Sequence, residues 1–264
     1  MIDLRQHQDA LIHRIWQNDA EYFGTLGQTV RDDRFVLYTN TGLIGRYDPN
    51  HAGMLRLTEA DMDAAIQHII THYEALQMDS VIYLDAWHRP SGLAVALDKA
   101  GFRPKVAWGQ YDLMAVREEV LDAPADVVVT NPANATEYAQ WAALSEPDPY
   151  SDAATMLALR ITECSSPAVV PTVVWCDGVP AGRCLSFVYD GVGRIECVHV
   201  DPRFRRRGLA RGMVAKVTMD ICAVGAVPYL FAAHAEGAQR IYQSIGYETL
   251  QPAAVMTYVR PFRA

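Results

Sequence analysis

The sequence predicts an α/β fold built as two tandem halves, the alternative being one α/β domain with an unrelated N-terminal extension. Three observations carry this. Apolar positions switch repeatedly between the strand period of two and the helical period near 3.6. The order strand, long helix, strand, short helix, strand occurs twice. An offset of 145 residues sets Ala100-Gly101-Phe102 on Ile245-Gly246-Tyr247 and Gly92 on Gly237. The composition also suits a buried core, with half of the 264 residues hydrophobic and a fifth charged.

In chain order, Leu4, Leu11, Ile12, Ile15 and Trp16 recur at helical spacing and predict a first amphipathic helix. Arg34 to Tyr38 is a short strand, followed by turn signals at Thr41-Gly42 and Asp48-Pro49-Asn50. Thr58 to Gln77 is a helix whose stripe is Met62, Ala65, Ile66, Ile69, Ile70, Tyr73 and Leu76. Thr58 is the expected N-cap, with Asp61 three residues on. Val81 to Asp85 is a strand, Ser91 to Ala100 a short helix closed by Gly101, and Lys105 to Ala115 a strand. The charged, proline-containing stretch Arg117 to Asp126 is the expected linker, which divides the chain into domains 1–120 and 125–264.

In the second half, Val127 to Thr130 is a strand, and Ala135 to Leu144 and Ala153 to Cys164 are helices on either side of an acidic loop. Val169 to Cys176, Arg183 to Tyr189 and Arg194 to Val200 are strands, the first two joined by an Asp177-Gly178 hairpin turn. Gly208 to Val224 is a helix, Tyr229 to Ala233 a strand, Gly237 to Ile245 a short helix and Ala254 to Val259 the last strand.

The net charge of −8 argues against a surface devoted to nucleic acid. No apolar run approaches the length of a membrane span, and the polar start Met-Ile-Asp-Leu-Arg-Gln-His lacks the apolar core of a signal peptide, so none is expected. The five cysteines are odd in number, without C-x-x-C spacing, so neither a disulfide framework nor a structural zinc site is expected. Cys197 and Cys222 are expected to be small buried hydrophobes. The eight histidines lack metal-ligand spacing. A cytoplasmic protein without a metal follows as the expectation.

Chemistry concentrates in Ile195 to Val214. A β-rich run ends at Val200. A proline turn, three arginines and Gly208-Leu209-Ala210 then open a helix. A helix start offers free backbone N–H groups and the positive end of a dipole, and small residues let a ligand approach. Such a cradle suits a pyrophosphate, and arginines add charge-assisted hydrogen bonds.

Arg205-Arg206-Arg207-Gly208-Leu209-Ala210, led by Val200-Asp201-Pro202, resembles motif A of the GNAT superfamily of acyl-CoA-dependent N-acyltransferases, (Arg/Gln)-x-x-Gly-x-(Gly/Ala). Ala238-Gln-Arg-Ile241-Tyr242-Gln-Ser-Ile-Gly246-Tyr247 resembles its motif B. The resemblance covers about Asp126 to Val259 and implies a GNAT fold there, a mixed central sheet flanked by helices, with acetyl-CoA as acyl donor. It implies that the backbone of the Val198-His199-Val200 segment holds the pantetheine arm, that Arg205 to Arg211 hold the pyrophosphate, and that Tyr242 protonates the departing thiolate. Glu196, placed with Val198 and Val200 by period two and with His199 on the opposite face, is the candidate base. Glu146, Asp148 and Asp152 are candidates for binding a cationic amine acceptor.

The first half departs from this pattern. Ala60, Asp61, Met62 and Asp63 stand where Arg205 to Gly208 stand, and Leu97 stands for Tyr242. Carboxylates there would repel a pyrophosphate, so the first half is expected to be a degenerate copy that binds no CoA. Ala235 replaces the Asn usual in motif B. The expected function is acetyl transfer to a primary amine, that of a polyamine, an aminoglycoside-like amine, an amino acid or a protein, the acidic loop leaning towards a small cationic acceptor. The alternatives are a non-catalytic acyl-CoA-binding regulatory module and, third, RNA contact through Arg203 to Arg211. No nucleic-acid or membrane partner is expected in the leading reading. A homodimer is compatible with a sequence that does not fix oligomeric state.

Overall fold

The computed structural model describes residues 4–85, 90, 92–105, 110–116, 127–144, 152–233 and 237–263, with backbone alone for 4–7. Its elements are α1 (Leu4–Gly24), β1 (Gln28–Arg31), β2 (Val36–Thr39), β3 (His51–Gly53), α2 (Met62–Ala75), β4 (Ser80–Asp85), α3 (Leu93–Lys99), β5 (Arg103–Pro104), β6 (Gln110–Val116), β7 (Val128–Thr130), α4 (Ala135–Ala143) and α5 (Ala153–Glu163). There follow β8 (Val169–Cys176), β9 (Val179–Tyr189), β10 (Val192–Val200), α6 (Leu209–Ala223), β11 (Val227–Ala233), α7 (Ala238–Gln243) and β12 (Tyr247–Arg260).

The chain divides into two compact units. The larger comprises Met1–Tyr22 and Leu113–Leu250, the smaller Phe23–Asp112 and Gln251–Ala264. The boundary is therefore not a single cut near 120–125. Most of α1 and the end of β6 belong to the larger unit, and the end of β12 belongs to the smaller one. Each half of the sequence thus gives its last strand, in part, to the other unit.

In the smaller unit the strand order is β1-β2-β3-β4-β12, with β5 also on β12. β3 and β4 run parallel, as a crossover through a helix requires, and α2 is that helix. Val255 to Arg260 of β12 pair antiparallel with Asp85 to Ser80. The predicted stripe of α2 packs into a core with Phe35, Leu37, Leu84, Leu97 and Phe102. Beside it, His51 Nδ1–H donates to the carbonyls of Tyr47 and Asp48 at 3.2 and 2.9 Å. Its ring stacks on Tyr83 at 4.0 Å. Burial holds the imidazole neutral, its pKa down to about 3.

The larger unit has the order β6-β11-β10-β9-β8-β7. β10 and β11 are parallel, joined by α6, while β7 to β10 pair antiparallel. Both hairpins turn on Asp-Gly with positive φ at each residue, Asp177-Gly178 at 53° and 74° and Asp190-Gly191 at 48° and 70°. The core under α6 includes Cys184, Ile195, Val200, Met213, Val214, Leu230 and Tyr242. Both units therefore place their long helix between two parallel strands, the arrangement that the internal repeat implies.

Several elements differ from expectation. α2 begins at Met62, not Thr58, because the Asp61 carboxylate accepts from the Thr58 N–H at 2.8 Å and leaves Thr58 outside the helix. β1 and β3 were not expected; each is too short to show a period. The strand expected over Lys105 to Ala115 is β6 from Gln110, with β5 before it and 106–109 outside the described residues. All five cysteines are free, and Cys222 is exposed, on the outer side of α6. Among the described residues no helix is long and apolar enough to cross a membrane.

Candidate active site

β10 and β11 pair only over Val192–Arg194 against Val227–Tyr229. β10 continues to Val200 and β11 to Ala233, so beyond Arg194 the two strands part. The β11-facing edge of β10 from Ile195 onward is left without a strand partner among the described residues, a parting in which an extended chain can bond to backbone.

Within that stretch β10 carries a bulge. Glu196 pairs with Leu185, and His199 with Arg183, so three steps on β10 match two on β9. Cys197 takes the extra turn at φ 57°. Gly182 makes room for it, since a Cβ there would lie 2.6 Å from the His199 carbonyl oxygen. The bulge overturns the period-two assignment. Ile195 and Val200 both enter the core under α6, with Val198 packed against it, although 195 and 200 are an odd number apart. Glu196 and His199 share the opposite face. A bulge leaves no mark in the alternation of the sequence beforehand.

Past Val200 the chain turns through a short 3-10 helix, Pro202–Phe204, capped by Asp201. Arg203 pairs with the Asp201 carboxylate, which it holds down to about 2, and so is committed locally. Arg205 Nε donates to the Val200 carbonyl at 2.9 Å, tying the loop to the strand end. Arg206 at φ 63° and Gly208 at φ 76° swing the backbone through left-handed conformations into α6. A Cβ on Gly208 would meet nothing within 4 Å.

The consequence lies in the amides. Arg205 N–H bonds to Pro202 O at 3.4 Å, and Gly212 N–H closes the first helical turn on Gly208 O at 2.9 Å. Between them, the N–H groups of Arg206 to Arg211 have no acceptor among the described residues. Arg206 and Arg211 pair with no acid there either, and Arg207 stands 3.9 Å from Asp177 at the exposed hairpin. Six unbonded amides, open space over Gly208 and unpaired cations fit a phosphate group.

The Tyr242 ring on α7 lies 6.2 Å from that of Tyr247. Its hydroxyl has no hydrogen-bond partner among the described residues. Burial first, and the Glu196 charge second, raise its pKa well above the usual phenol value, so it stays protonated.

Glu196 is half-buried and tied on both sides, to the Arg194 guanidinium and, at 3.2 Å, to the Cys197 N–H. Arg194 also meets Asp19 of α1 and lies over the rings of Tyr22 and Phe231 at 4.7 and 5.3 Å. Asn18 locks α1 to the same place, donating to Val192 O and accepting from the Tyr229 hydroxyl at 2.7 Å.

Of the acidic-loop candidates, Glu146 and Asp148 lie outside the described residues. Asp152 is the N-cap of α5, accepting from the Thr155 N–H at 2.7 Å, and this lowers its pKa. Its carboxylate is thus engaged by the helix it opens. Sequence reasoning missed the polar side chains behind the bulge. Arg160 Nη1 reaches Glu163 at 2.6 Å and Cys197 Sγ at 3.0 Å, and Arg183 lies over Trp141. The one available signal was arginine at positions otherwise patterned as apolar.

Residues 135–247 match the family model described as Acetyltransferase (GNAT) family. This stretch is a GNAT acetyltransferase domain. The GNAT fold extends over the rest of the chain. A GCN5-related N-acetyltransferase from Kribbella flavida is similar at TM-score 0.72 and 22% identity, over 94% of this chain and 95% of that one. A tandem GNAT protein from the clavulanic acid biosynthesis pathway is similar at TM-score 0.56 and 9% identity, over 81% and 76%. A GNAT-family acetyltransferase described as putative, from Novosphingobium aromaticivorans, is similar at TM-score 0.54 and 18% identity, over 90% and 94%. At these identities the likeness is one of fold. Comparison with curated proteins returned no match.

Proposed function

We propose that the GNAT domain is an acetyl-CoA-dependent N-acetyltransferase acting on the primary amine of a small molecule. The observation that carries this is the run of unbonded amides from Arg206 to Arg211, at the mouth of the gap between β10 and β11. Acetyl-CoA would supply the acetyl thioester. The amides and Arg206 would hold its pyrophosphate, with Arg205 bracing the loop through the Val200 carbonyl. The edge of β10 that borders the gap, at Val198 to Val200, would bond its pantetheine arm.

In this reading Glu196 receives the ammonium proton, directly or through water, so that a neutral amine attacks the thioester carbon. The C–N bond forms and the C–S bond breaks. Tyr242 returns a proton to the leaving sulfur, a role that its raised pKa supports by keeping it protonated. Arg194 already occupies part of the Glu196 carboxylate, which favours transfer relayed through a water.

The smaller unit is assigned no cofactor. At the helix start that the 145-residue offset sets against Arg206, the Asp61 carboxylate takes the Thr58 amide, and its charge would repel a phosphate. Calorimetry with acetyl-CoA and thiol release with a panel of amines test the proposal. Absence of acetyl-CoA binding at millimolar concentration would refute it. Tight binding without acetylation of any amine would favour a non-catalytic sensor instead.

A further inference from the structure

Behind the β10 bulge, the described residues set two guanidiniums, Arg160 and Arg183, beside one carboxylate, Glu163. Arg160 and Glu163 from α5 are both buried and pair at 2.6 Å. Arg183 on β9 is 2% exposed, and among the described residues it forms no ion pair of its own, Glu163 acting on it only at longer range. Its Nε donates to the Leu144 carbonyl, and its plane lies 5.1 Å from the Trp141 ring centroid. Its Nη1 and the Nε of Arg160 are buried donors with no acceptor among the described residues. The Cys197 thiol between them supplies no charge, because burial pushes it up to about 12. Burying an arginine without an anion is costly, so such an excess marks a place where an anion is supplied from elsewhere.

The position gives that anion a role. Arg183 pairs with His199 and Leu185 with Glu196, so Arg183 stands on the face of Glu196, one two-residue step away along β9. Such a step is roughly 7 Å. At the Glu196 end the balance among the described residues reverses, since Asp19 and Glu196 both meet Arg194. The face is therefore rich in carboxylate at one end and in guanidinium at the other. A molecule with an amine and a carboxylate a few bonds apart spans that step, once a hydrogen-bond length is added at each end. One unmatched positive charge suits a monoanion, and the planar guanidinium suits a carboxylate.

We propose that the acceptor is a small amino acid-type molecule, its amine directed to Glu196 and its carboxylate to Arg183 and Arg160. This rests on the acetyltransferase reading above and narrows its substrate class from any cationic amine to one that also carries an acid.

The test uses the full chain, acetyl-CoA and matched sets: each common amino acid, its carboxamide and its decarboxylated amine. Thiol release should show at least one amino acid with kcat/KM about tenfold or more above both partners, because a site with unpaired donors discriminates against ligands that leave them unpaired. In Arg183→Met this preference should collapse to within about twofold, while calorimetry shows acetyl-CoA affinity held. The variant should melt no lower than the wild type, since an unpaired buried charge is removed. Amides or plain amines that equal the acids in the wild type overturn the proposal, as does a preference that survives Arg183→Met. If that variant does not fold, the wild-type ratio decides. Acetyl-CoA binding with acetylation blind to the carboxylate refutes this inference alone. Absence of acetyl-CoA binding, or of all acetylation, removes the reading beneath it as well.

Discussion

Tyr242 and Gly208 show how much a single residue decides here. The Tyr242 hydroxyl is held protonated by burial and unengaged by its neighbours, the state a proton donor needs. Tyr242→Phe should therefore lower kcat roughly 10²-fold with acetyl-CoA affinity unchanged, as read by initial rates beside calorimetry. Gly208 matters through its backbone. Its φ of 76° costs an L-residue about 1 kcal/mol, and a side chain there would project into the open space above the amides. Gly208→Val should weaken acetyl-CoA binding by at least about tenfold with only a small loss in melting temperature. Equal affinity in the variant would show that this space is not used. The places of Gly208 at the start of α6 and of Tyr242 in the core beside it were legible in the sequence, because each sits inside a motif of characteristic residue types. Arg183 was not, since nothing in its neighbours announces that a strand arginine is buried against Trp141.

At the scale of elements, the bulge in β10 organises the site. It turns Glu196 and His199 to one face, just past the point at which β10 and β11 part. Gly182 permits it, because any Cβ would press on the His199 carbonyl. Gly182→Ala should destabilise the protein by about 1–3 kcal/mol in urea titration and raise the acetyl-CoA dissociation constant together with it. A stable variant with full affinity would mean that the bulge tolerates more room than the coordinates allow. Long elements were the legible ones. The stripe of α2, the start of α6 and the Asp177-Gly178 turn follow from period and turn chemistry. β1 and β3 have four and three residues, too few for a period, and exist because neighbouring strands pair with them.

For the whole molecule, the repeat with unequal chemistry predicts one acetyl-CoA per chain. Calorimetry should give a stoichiometry near one, and a value near two would assign the smaller unit a site that its Asp61 should refuse. Stability should also depend on pH through His51. Its folded pKa is about 3 against 6.5 for a free imidazole, so below 6.5 the unfolded chain takes up a proton that the folded one refuses. The contribution is whole above pH 6.5 and is lost as pH falls toward 3. Urea melts at pH 7, 5.5 and 4.5 should show falling stability, with a shallower slope in His51→Asn. Equal slopes would mean that other groups carry the acid limb.

The sequence by itself determined the α/β class, the duplicated order of elements, and the helix start with its arginines and glycine. Each of these is local, written in the periodicity and residue types of a short stretch. Tertiary structure decided which residues share a face beside β10, which arginine is left buried without an acid, and which unit each half's last strand enters. These depend on strand register, and a bulge or an exchanged strand changes register through contacts between residues far apart in the chain.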